Sequence, residues 1–220
     1  MKFNVYLFRH GQTDFNRDGK FTGWLDSKLT DLGFEQARAV SEQLKDKKFG
    51  IAFHTSLTRS KQTLTEILTY HPECTKILED DRMIERNYGK LNGMTHAEFI
   101  QNIGKKLYKL EVEGDLISDL TDEGRREAEK FLGEQEYNLI HRGYHIPPPD
   151  GESFAMVETR VASFIKDLKD LMKKEKTNVA ISAHGNSIRL FRKIMENASV
   201  QDTTSWQIPF DSFYEYEIET

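Results

Sequence analysis

The feature that most constrains the fold is the alternation of short apolar runs with segments of helical periodicity. The apolar runs lie at 3–8, 50–53, 178–182 and 212–218. They are short and rich in β-branched or aromatic residues, so each predicts a strand. Helices are predicted over 30–44, 57–70, 153–174 and 185–195. The alternation predicts an α/β fold of three layers, with a mostly parallel sheet flanked by helices on both faces.

Length and charge narrow the classes of protein and partner. The 220 residues suffice for one domain with a sizeable core. The net charge of -5 gives no general attraction to nucleic acid or to an anionic membrane, so we expect neither as a partner. Cys74 is the single cysteine, and the N-terminal apolar run is too short for a signal peptide or a membrane span. We expect a cytoplasmic protein and leave a homo-oligomer open.

One stretch departs from the alternating pattern. Residues 105–138 are heavily charged and weakly periodic, with one good helix candidate at 122–132. We predict a single domain over residues 1–220, in which this stretch is a helical insertion or a lid over the carboxyl ends of the strands. The prolines at 147–149 stiffen the return of the chain to the core.

Two predicted strands end in matching patterns of three residues. Arg9-His10-Gly11 follows the first strand, and Ala183-His184-Gly185 follows the strand at 178–182. If these strands are neighbours, both imidazoles enter one crevice at the carboxyl edge of the sheet, where α/β folds bind ligands. The helix after Gly185 would direct its N-terminal amides to the same place, which favours an anion. A lone histidine at a strand end is usually structural, but the pair favours a functional site.

Several further motifs give the chain its resemblance to a known family. They lie at 7–13 with Asn16, 21–26, 55–63, 85–89, 147–153 and 183–189. With them the chain resembles the histidine phosphatase superfamily and, within it, the cofactor-dependent phosphoglycerate mutases. The resemblance covers nearly the whole chain except about 105–138. It implies a phosphoglycerate mutase-like fold and the glycolytic interconversion of 3-phosphoglycerate and 2-phosphoglycerate through a phosphohistidine. It also implies 2,3-bisphosphoglycerate as primer. We expect no metal, because His141 and His145, although at helical spacing, flank the proline turn and lack a third nearby ligand.

The resemblance assigns the chemical step to a small group of residues. His10 would be the nucleophile, because a neutral imidazole is competent at neutral pH and nearby arginines keep it unprotonated. Arg9 and Arg59 would bind phosphoryl oxygens in bidentate fashion, with a donor from His184 and an amide from Asn16. Glu85 is the candidate general acid and base. For Arg59 the alternative is a charge on a helix surface, and for Glu85 an exposed residue of a charged run.

A second set of residues would recognise the substrate. By resemblance, the residues that would hold its carboxylate are Thr22, Gly23, Arg86, Tyr88, Arg142 and Asn186, and Gly185 would let the backbone approach closely. We expect Arg189, inside the last long helix, to be an internal ion-pair partner and not a ligand group.

Two positions depart from the mutase pattern. His96 stands where the mutases carry a lysine, and His141 where they carry the first of two arginines. Each replaces a permanent cation by a group that is mostly neutral at pH 7. The second hypothesis is therefore a phosphohistidine-dependent phosphatase, of the histidine acid type, that acts on small phosphomonoesters. A third is a catalytically idle module that binds phosphoesters.

Overall fold

A computed structural model describes residues 1–118 and 120–219. Its centre is a sheet of five strands: β1 Lys2–Arg9, β2 Ile51–His54, β3 Lys76–Glu79, β4 Val179–Ala183 and β5 Phe213–Glu219. Their order across the sheet is β3-β2-β4-β1-β5. The pairs β1–β4, β2–β4 and β2–β3 are parallel, whereas β5 runs antiparallel to β1. The predicted mostly parallel sheet is confirmed.

Helices cover both faces of this sheet. They are α1 Asp14–Arg17, α2 Asp31–Leu44, α3 Thr58–Leu68, α4 His96–Glu113, α5 Asp122–Arg142, α6 Phe154–Glu175, α7 Gly185–Glu196 and α8 Val200–Ser205. Short 3-10 turns lie at Asp81–Met83 and Gly89–Leu91. None of the helices in the described ranges is both long and apolar enough to cross a bilayer.

Alternating residues of β1 explain why two helical layers form. Val5 and Leu7 pack into the cluster that α6 and α7 share, whereas Tyr6 and Phe8 pack with α2 and α3 on the other face. All four side chains are buried, since a central strand of a three-layer fold is covered on both sides. The predicted layers are confirmed.

Polar caps start the helices where the sequence predicts them. The Thr30 hydroxyl accepts a hydrogen bond from the Gly33 amide at 3.1 Å, and the Ser153 hydroxyl accepts one from the Met156 amide at 3.3 Å. Such caps satisfy amides that the first helical turn leaves unpaired. They fix where α2 and α6 leave the loops that precede them.

Strand register brings the two histidine patterns side by side. β1 and β4 are neighbours, and Arg9 pairs with Ala183 in register. The His10 amide continues the ladder by donating to the Ala183 carbonyl at 3.1 Å. His10 and His184 therefore leave the sheet together, and Thr55 leaves the end of β2 beside them.

The stretch at 105–138 is helical as predicted, but it contains more helix than the single candidate at 122–132. This stretch belongs to two long helices, α4 and α5, that pack on each other, and α5 continues past 132 to Arg142. The pair meets at glycines: a Cβ on Gly104 would lie 1.9 Å from the Glu129 carbonyl oxygen, and one on Gly133 2.1 Å from that of Ile100. Because glycine backbones make this contact, no apolar side chains mark the contacting faces of the two helices. The sequence therefore shows little helical periodicity of apolar residues in this stretch.

The strand β3 was not predicted. It lies at the sheet edge, and its residues alternate between half-buried and exposed, with Lys76 and Glu79 at its ends. A short, charged edge strand carries too little apolar signal to be recognised in sequence.

Candidate active site

His10 is buried at the carboxyl end of β1, with 2% of its surface exposed. Its Nδ1 donates to the Gly11 carbonyl oxygen at 2.7 Å. A carbonyl only accepts, so the proton is on Nδ1 and the lone pair is on Nε2. Gly11 has no room for a side chain, since a Cβ there would lie 2.1 Å from the Gly33 carbonyl oxygen. The backbone that sets the tautomer of His10 is thereby fixed.

His184 faces His10 from the neighbouring strand. The two ring centroids are 4.9 Å apart. Nε2 of His184 is 2.8 Å from the Thr55 hydroxyl. Its Nδ1 is buried and finds no hydrogen-bond partner within residues 1–118 and 120–219. A buried polar atom without a partner is costly, so Nδ1 is suited to meet a ligand.

Arg9 and Arg59 are buried beside the two imidazoles. Arg9 donates to the Ile208 carbonyl at 2.9 Å, and its guanidinium carbon lies 3.8 Å from the Phe210 ring centroid. Arg59, in the first turn of α3, donates to the carbonyls of Leu25 and Gly23 at 2.9 and 2.8 Å. The Nε of each arginine is buried and unpartnered in the described part of the chain. Arg59 is therefore not a charge on a helix surface.

Burial and the nearby arginine charges both lower the pKa values of His10 and His184. Burial is the main cause that lowers the pKa of His10 well below 6.5, and the Arg59 and Arg9 charges add to it. Burial and Arg59 likewise lower the pKa of His184. Burial also lowers the pKa of Arg9 and of Arg59 to about 10, so both stay charged at neutral pH. The result is two neutral imidazoles between two cations.

Glu85 lies at the N-terminus of α7. Its Oε1 accepts hydrogen bonds from the Arg86 amide at 2.8 Å and from the Asn186 amide at 3.1 Å. Glu85 is 8% exposed, so it is not an exposed member of the charged run. Asn186 is in the first turn of α7, where the helix dipole favours a negative charge. Both of these hydrogen bonds end on Oε1 and leave Oε2 for a ligand.

Three arginines lie further out: Arg86, Arg142 and Arg189. Arg86 is buried between the rings of Tyr88 and Phe154, 4.5 Å from each centroid. Its terminal nitrogens lie 3.4 Å from the carbonyls of Ile140 and His141, and its Nε has no partner in the described residues.

Arg142 and Arg189 also bind neutral oxygens. Arg142 donates to the Thr204 carbonyl at 2.5 Å. Arg189 donates to the Trp206 carbonyl at 2.9 Å and to Oδ1 of Asn186 at 2.8 Å. The prediction that Arg189 is an ion-pair partner is wrong, because its partners are an amide and a carbonyl. Burial is the main cause that lowers the pKa of Arg189; Tyr88 and Glu85 oppose the shift, and the charges of Arg142 and Arg86 add to it.

The remaining predicted substrate residues are divided between this region and the loop before α2. Tyr88 receives a hydrogen bond from Nδ2 of Asn186 at 3.3 Å. Gly23 has a φ of +49°, and a Cβ there would lie 2.1 Å from Oδ1 of Asn92 and 3.1 Å from the Tyr88 amide nitrogen; Thr22 next to it is buried. A Cβ on Gly185 would be 3.5 Å from the guanidinium carbon of Arg9. Gly23 and Gly185 thus lie beside Tyr88 and Arg9, respectively.

Asn16 is held in place by Thr13 at the start of α1. Its Oδ1 accepts from the amide and the hydroxyl of Thr13, at 3.2 and 3.0 Å, and so closes a capping box at the start of α1. The described contacts tie Asn16 to Thr13 and not to the residues around His10. Its Nδ2 is the atom left for a ligand.

His96 and His141 form part of an aromatic cluster beside the three arginines. The ring of His141 stacks on Tyr137 at 5.0 Å and on Tyr88 at 6.3 Å. His96 lies 4.5 Å from Phe21 and 5.7 Å from His141. Burial, with Arg142 and Arg86, lowers the pKa of His141 to about 3, and burial lowers that of His96. Neither histidine adds a positive charge at neutral pH.

Some residues of the site were missed in the sequence. Thr55 follows β2 as His10 follows β1, so its position at a strand end was a usable signal. Arg160 in α6 donates to the carbonyls of Ile84 and Glu85 at 2.8 and 3.0 Å, and Phe210 covers Arg9. Nothing in their local sequence distinguishes these two from ordinary packing residues. Within residues 1–118 and 120–219 there is no group of three or more His, Cys, Asp or Glu side chains able to hold a metal ion.

Curated relatives match along most of the chain. A 2,3-bisphosphoglycerate-dependent phosphoglycerate mutase of Chelativorans sp. is 30% identical over 94% of this chain and 88% of its own length. One from Cytophaga hutchinsonii is 32% identical over 90% and 79%. One from Pseudoalteromonas atlantica is 26% identical over 97% and 93%.

Solved structures share the fold. Phosphoglycerate mutase from Bacillus anthracis superposes with a TM-score of 0.70 at 22% identity, covering 99% of this chain and 88% of the other. A mycobacterial glucosyl-3-phosphoglycerate phosphatase gives 0.68 at 20%, covering 99% and 91%. The family model of the histidine phosphatase superfamily (branch 1) matches residues 5–112 and 121–220. Because this match covers nearly the whole chain, including His10 and His184, the chain belongs to the histidine phosphatase superfamily.

Proposed function

We propose that this protein is a phosphoglycerate mutase that interconverts 3-phosphoglycerate and 2-phosphoglycerate through phosphorylated His10. The observation that carries the proposal is the set of three outer arginines whose described hydrogen bonds end on neutral oxygens. A group of buried and half-buried cations whose hydrogen bonds reach no carboxylate favours a ligand with a second anionic group besides its phosphate. Phosphoglycerate carries a carboxylate as well as a phosphate, and the curated relatives bear the same activity in their names.

The inner group of residues supports phosphoryl transfer to His10. Nε2 attacks phosphorus in line with the leaving oxygen, and the P–O bond breaks as the N–P bond forms. The unpartnered Nε atoms of Arg9 and Arg59 and the Nδ1 of His184 are donors suited to the equatorial oxygens. For His184 this requires that Thr55 donate its hydroxyl proton to Nε2, 2.8 Å away, so that the ring proton is on Nδ1.

Glu85 supports the proton transfers that must accompany each phosphoryl transfer. When His10 takes a phosphoryl group, protonated Glu85 gives its proton to the leaving alkoxide. When His10 gives the group to a hydroxyl, the carboxylate takes that proton back. Its backbone carbonyl receives hydrogen bonds from Arg160 at 3.0 Å and from Trp24 at 2.8 Å, so the residue is held from two sides.

For isomerisation, His10 must enter the cycle phosphorylated. The donor set fits a bisphosphorylated primer, since several buried nitrogens of the site lack partners among the described residues. When bound, 2,3-bisphosphoglycerate supplies the first phosphoryl group. His10 then gives its phosphoryl group to the free hydroxyl of 3-phosphoglycerate and takes one back from the other oxygen. Between the two transfers the outer arginines hold the carboxylate while the ligand reorients.

The aromatic cluster favours a second candidate, a phosphatase of small phosphomonoesters. His141 is stacked between Tyr137 and Tyr88, and its pKa of about 3 leaves it neutral. A site with fewer cations holds a doubly phosphorylated intermediate less firmly. Water would then take the phosphoryl group from His10.

One assay separates the candidates. The protein is supplied with 3-phosphoglycerate and a trace of 2,3-bisphosphoglycerate, and 2-phosphoglycerate and free phosphate are followed together. Isomer without phosphate supports the mutase, and phosphate without isomer supports the phosphatase. Neither product would leave a module that binds phosphoesters. We expect His10→Ala to abolish both products with the fold intact, and full activity in that variant would refute the phosphohistidine.

The organisation and location of the protein complete the proposal. A single sheet with helices on both faces supports one domain over residues 1–220. Within it we propose that 105–138 is an insertion, and that the protein acts in the cytoplasm on a small phosphorylated substrate.

A further inference from the structure

Arg189 is a largely buried cation of α7 whose contacts serve the site indirectly. One terminal nitrogen donates to Oδ1 of Asn186, one turn earlier on the helix, at 2.8 Å. Its Nε donates to the Trp206 carbonyl at 2.9 Å, which anchors the guanidinium to the segment after α8. The side chain is therefore held at both ends of its planar group, and one of its two described partners is a residue of the site.

The chemistry of the guanidinium fixes the orientation of the Asn186 amide. An arginine has donors and no acceptor, so the atom of Asn186 that faces it must be the oxygen. Nδ2 then faces the opposite way, toward the Tyr88 hydroxyl at 3.3 Å. Without Arg189, the amide could turn by 180° and present its oxygen to Tyr88 instead.

The orientation of Asn186 in turn sets the role of the Tyr88 hydroxyl. Nδ2 donates, so the phenolic oxygen accepts, and the single proton of that hydroxyl is directed elsewhere. Tyr88 is 6% exposed, and its ring lies 4.5 Å from the guanidinium carbon of Arg86. The proton that Asn186 leaves free is therefore carried by a residue in contact with one of the outer arginines.

We propose that Arg189 is a positioning residue that, through Asn186, makes the Tyr88 hydroxyl a hydrogen-bond donor to the second anionic group of the substrate. The inference rests on the proposed function in taking that group to be a carboxylate. A bond of this kind is present in both the ground state and the transition state, so its loss raises KM and leaves kcat nearly unchanged.

The first experiment compares Arg189→Met, Arg189→Lys, Tyr88→Phe and the double variant Arg189→Met with Tyr88→Phe. The matched control is Arg192→Met, one turn further along α7, where the arginine pairs with Glu196 at 3.0 Å. With 3-phosphoglycerate as substrate, we expect KM to rise about tenfold in Arg189→Met and in Tyr88→Phe, the loss of one hydrogen bond to a charged group.

Comparing KM among these variants tests the proposal. The double variant should be no worse than either single one, since both remove the same bond. Lysine also has only donors, so Arg189→Lys should recover most of the KM. The control should leave KM unchanged. A fall in kcat at constant KM, additive losses in the double variant, or an equal effect of Arg192→Met would overturn the proposal.

A measurement without ligand separates this inference from the proposed function. The ¹³Cζ resonance of Tyr88, assigned with Tyr88→Phe, should shift in Arg189→Met because its oxygen changes from acceptor to donor, and should stay in place in Arg192→Met. An unmoved resonance in Arg189→Met would refute the relay. If the wild-type protein makes no 2-phosphoglycerate, the proposed function fails, and this resonance alone still decides the role of Arg189.

Discussion

The Thr55 hydroxyl lies 2.8 Å from Nε2 of His184 and so joins the end of β2 to the end of β4. Thr55 is itself fixed, because its amide donates to the Ser60 hydroxyl at 3.1 Å and Ser60 donates to the Ser182 carbonyl at 2.8 Å. The ring of His184 is therefore oriented by two strands and a helix. This arrangement determines which nitrogen of His184 faces His10.

Thr55→Val tests this orientation. The substitution keeps the shape of the side chain and removes the hydroxyl, so His184 loses the partner that keeps its proton on Nδ1. We expect kcat to fall about tenfold, which corresponds to the loss of one well-oriented hydrogen bond to the transition state. Thr65→Val is the matched control, since Thr65 is an exposed residue of α3 whose hydroxyl donates to the Lys61 carbonyl. An unchanged kcat in Thr55→Val would show that His184 needs no such support.

Glu85→Gln tests the proton transfers. The amide oxygen still accepts from the amides of Arg86 and Asn186, so the fold should be kept, but no proton can be exchanged. We expect a loss of about 10² to 10⁴ in kcat with 3-phosphoglycerate. The loss with p-nitrophenyl phosphate should be much smaller, since its leaving group needs no proton. Glu79→Gln, at the exposed end of β3, serves as the control. Equal losses on the two substrates would contradict a role in acid–base catalysis.

The double variant His141→Arg with His96→Lys tests whether added cations favour the mutase reaction over hydrolysis. The change at His141 adds a cation beside Arg86 and Arg142, and the change at His96 adds one beside His141. We expect the ratio of 2-phosphoglycerate to free phosphate to rise, and the KM for 2,3-bisphosphoglycerate to fall about tenfold. His145→Arg adds the same charge at an exposed position and should change neither. Because the new side chains replace stacked rings, the unfolding midpoint is measured alongside; a stable variant with an unchanged ratio would contradict the argument.

Stability should depend on pH through the buried histidines. The pKa values of His10, His184 and His141 are lowered in the folded protein, so below their unfolded value of about 6.5 the unfolded chain binds more protons. The stabilisation is complete above pH 6.5 and is lost as the pH falls, by up to about 1.4 kcal/mol per pH unit for each histidine. Urea unfolding between pH 7.5 and 5.5 measures it. His10→Asn should reduce the slope, and an unchanged slope in that variant would refute the assignment.

The fold was largely predictable because its information lies in apolar periodicity. β1, β4, α6 and α7 have continuous buried stripes, and their alternation already indicates a parallel sheet. β3 and the full length of α4 and α5 were missed for a common reason. The edge strand β3 buries only alternate residues, and α4 and α5 meet through the backbone at Gly104 and Gly133. Neither kind of contact leaves a periodic pattern of apolar residues in the sequence.

Some residues of the candidate site could be placed from the sequence, and others could not. His10 and His184 could be placed together because strand ends of a parallel sheet meet at one edge. The partners of Arg189 could not be foreseen. An arginine inside a helix is satisfied equally by a carboxylate or by an amide and a carbonyl, and only the path of the chain after α8 brings Trp206 to it.

The pair formed by α4 and α5 touches the catalytic region at one end only. His96 opens α4 and His141 lies in the last turn of α5, while the connection between the helices lies at the other end. With 18 residues in α4 and a rise of about 1.5 Å per residue, the far end of α4 lies roughly 27 Å from His96. The family match is interrupted over 113–120, which begins at that end of α4. The hairpin can therefore be lengthened, shortened or fitted with a reporter dye at its tip without disturbing the ring stack at its base.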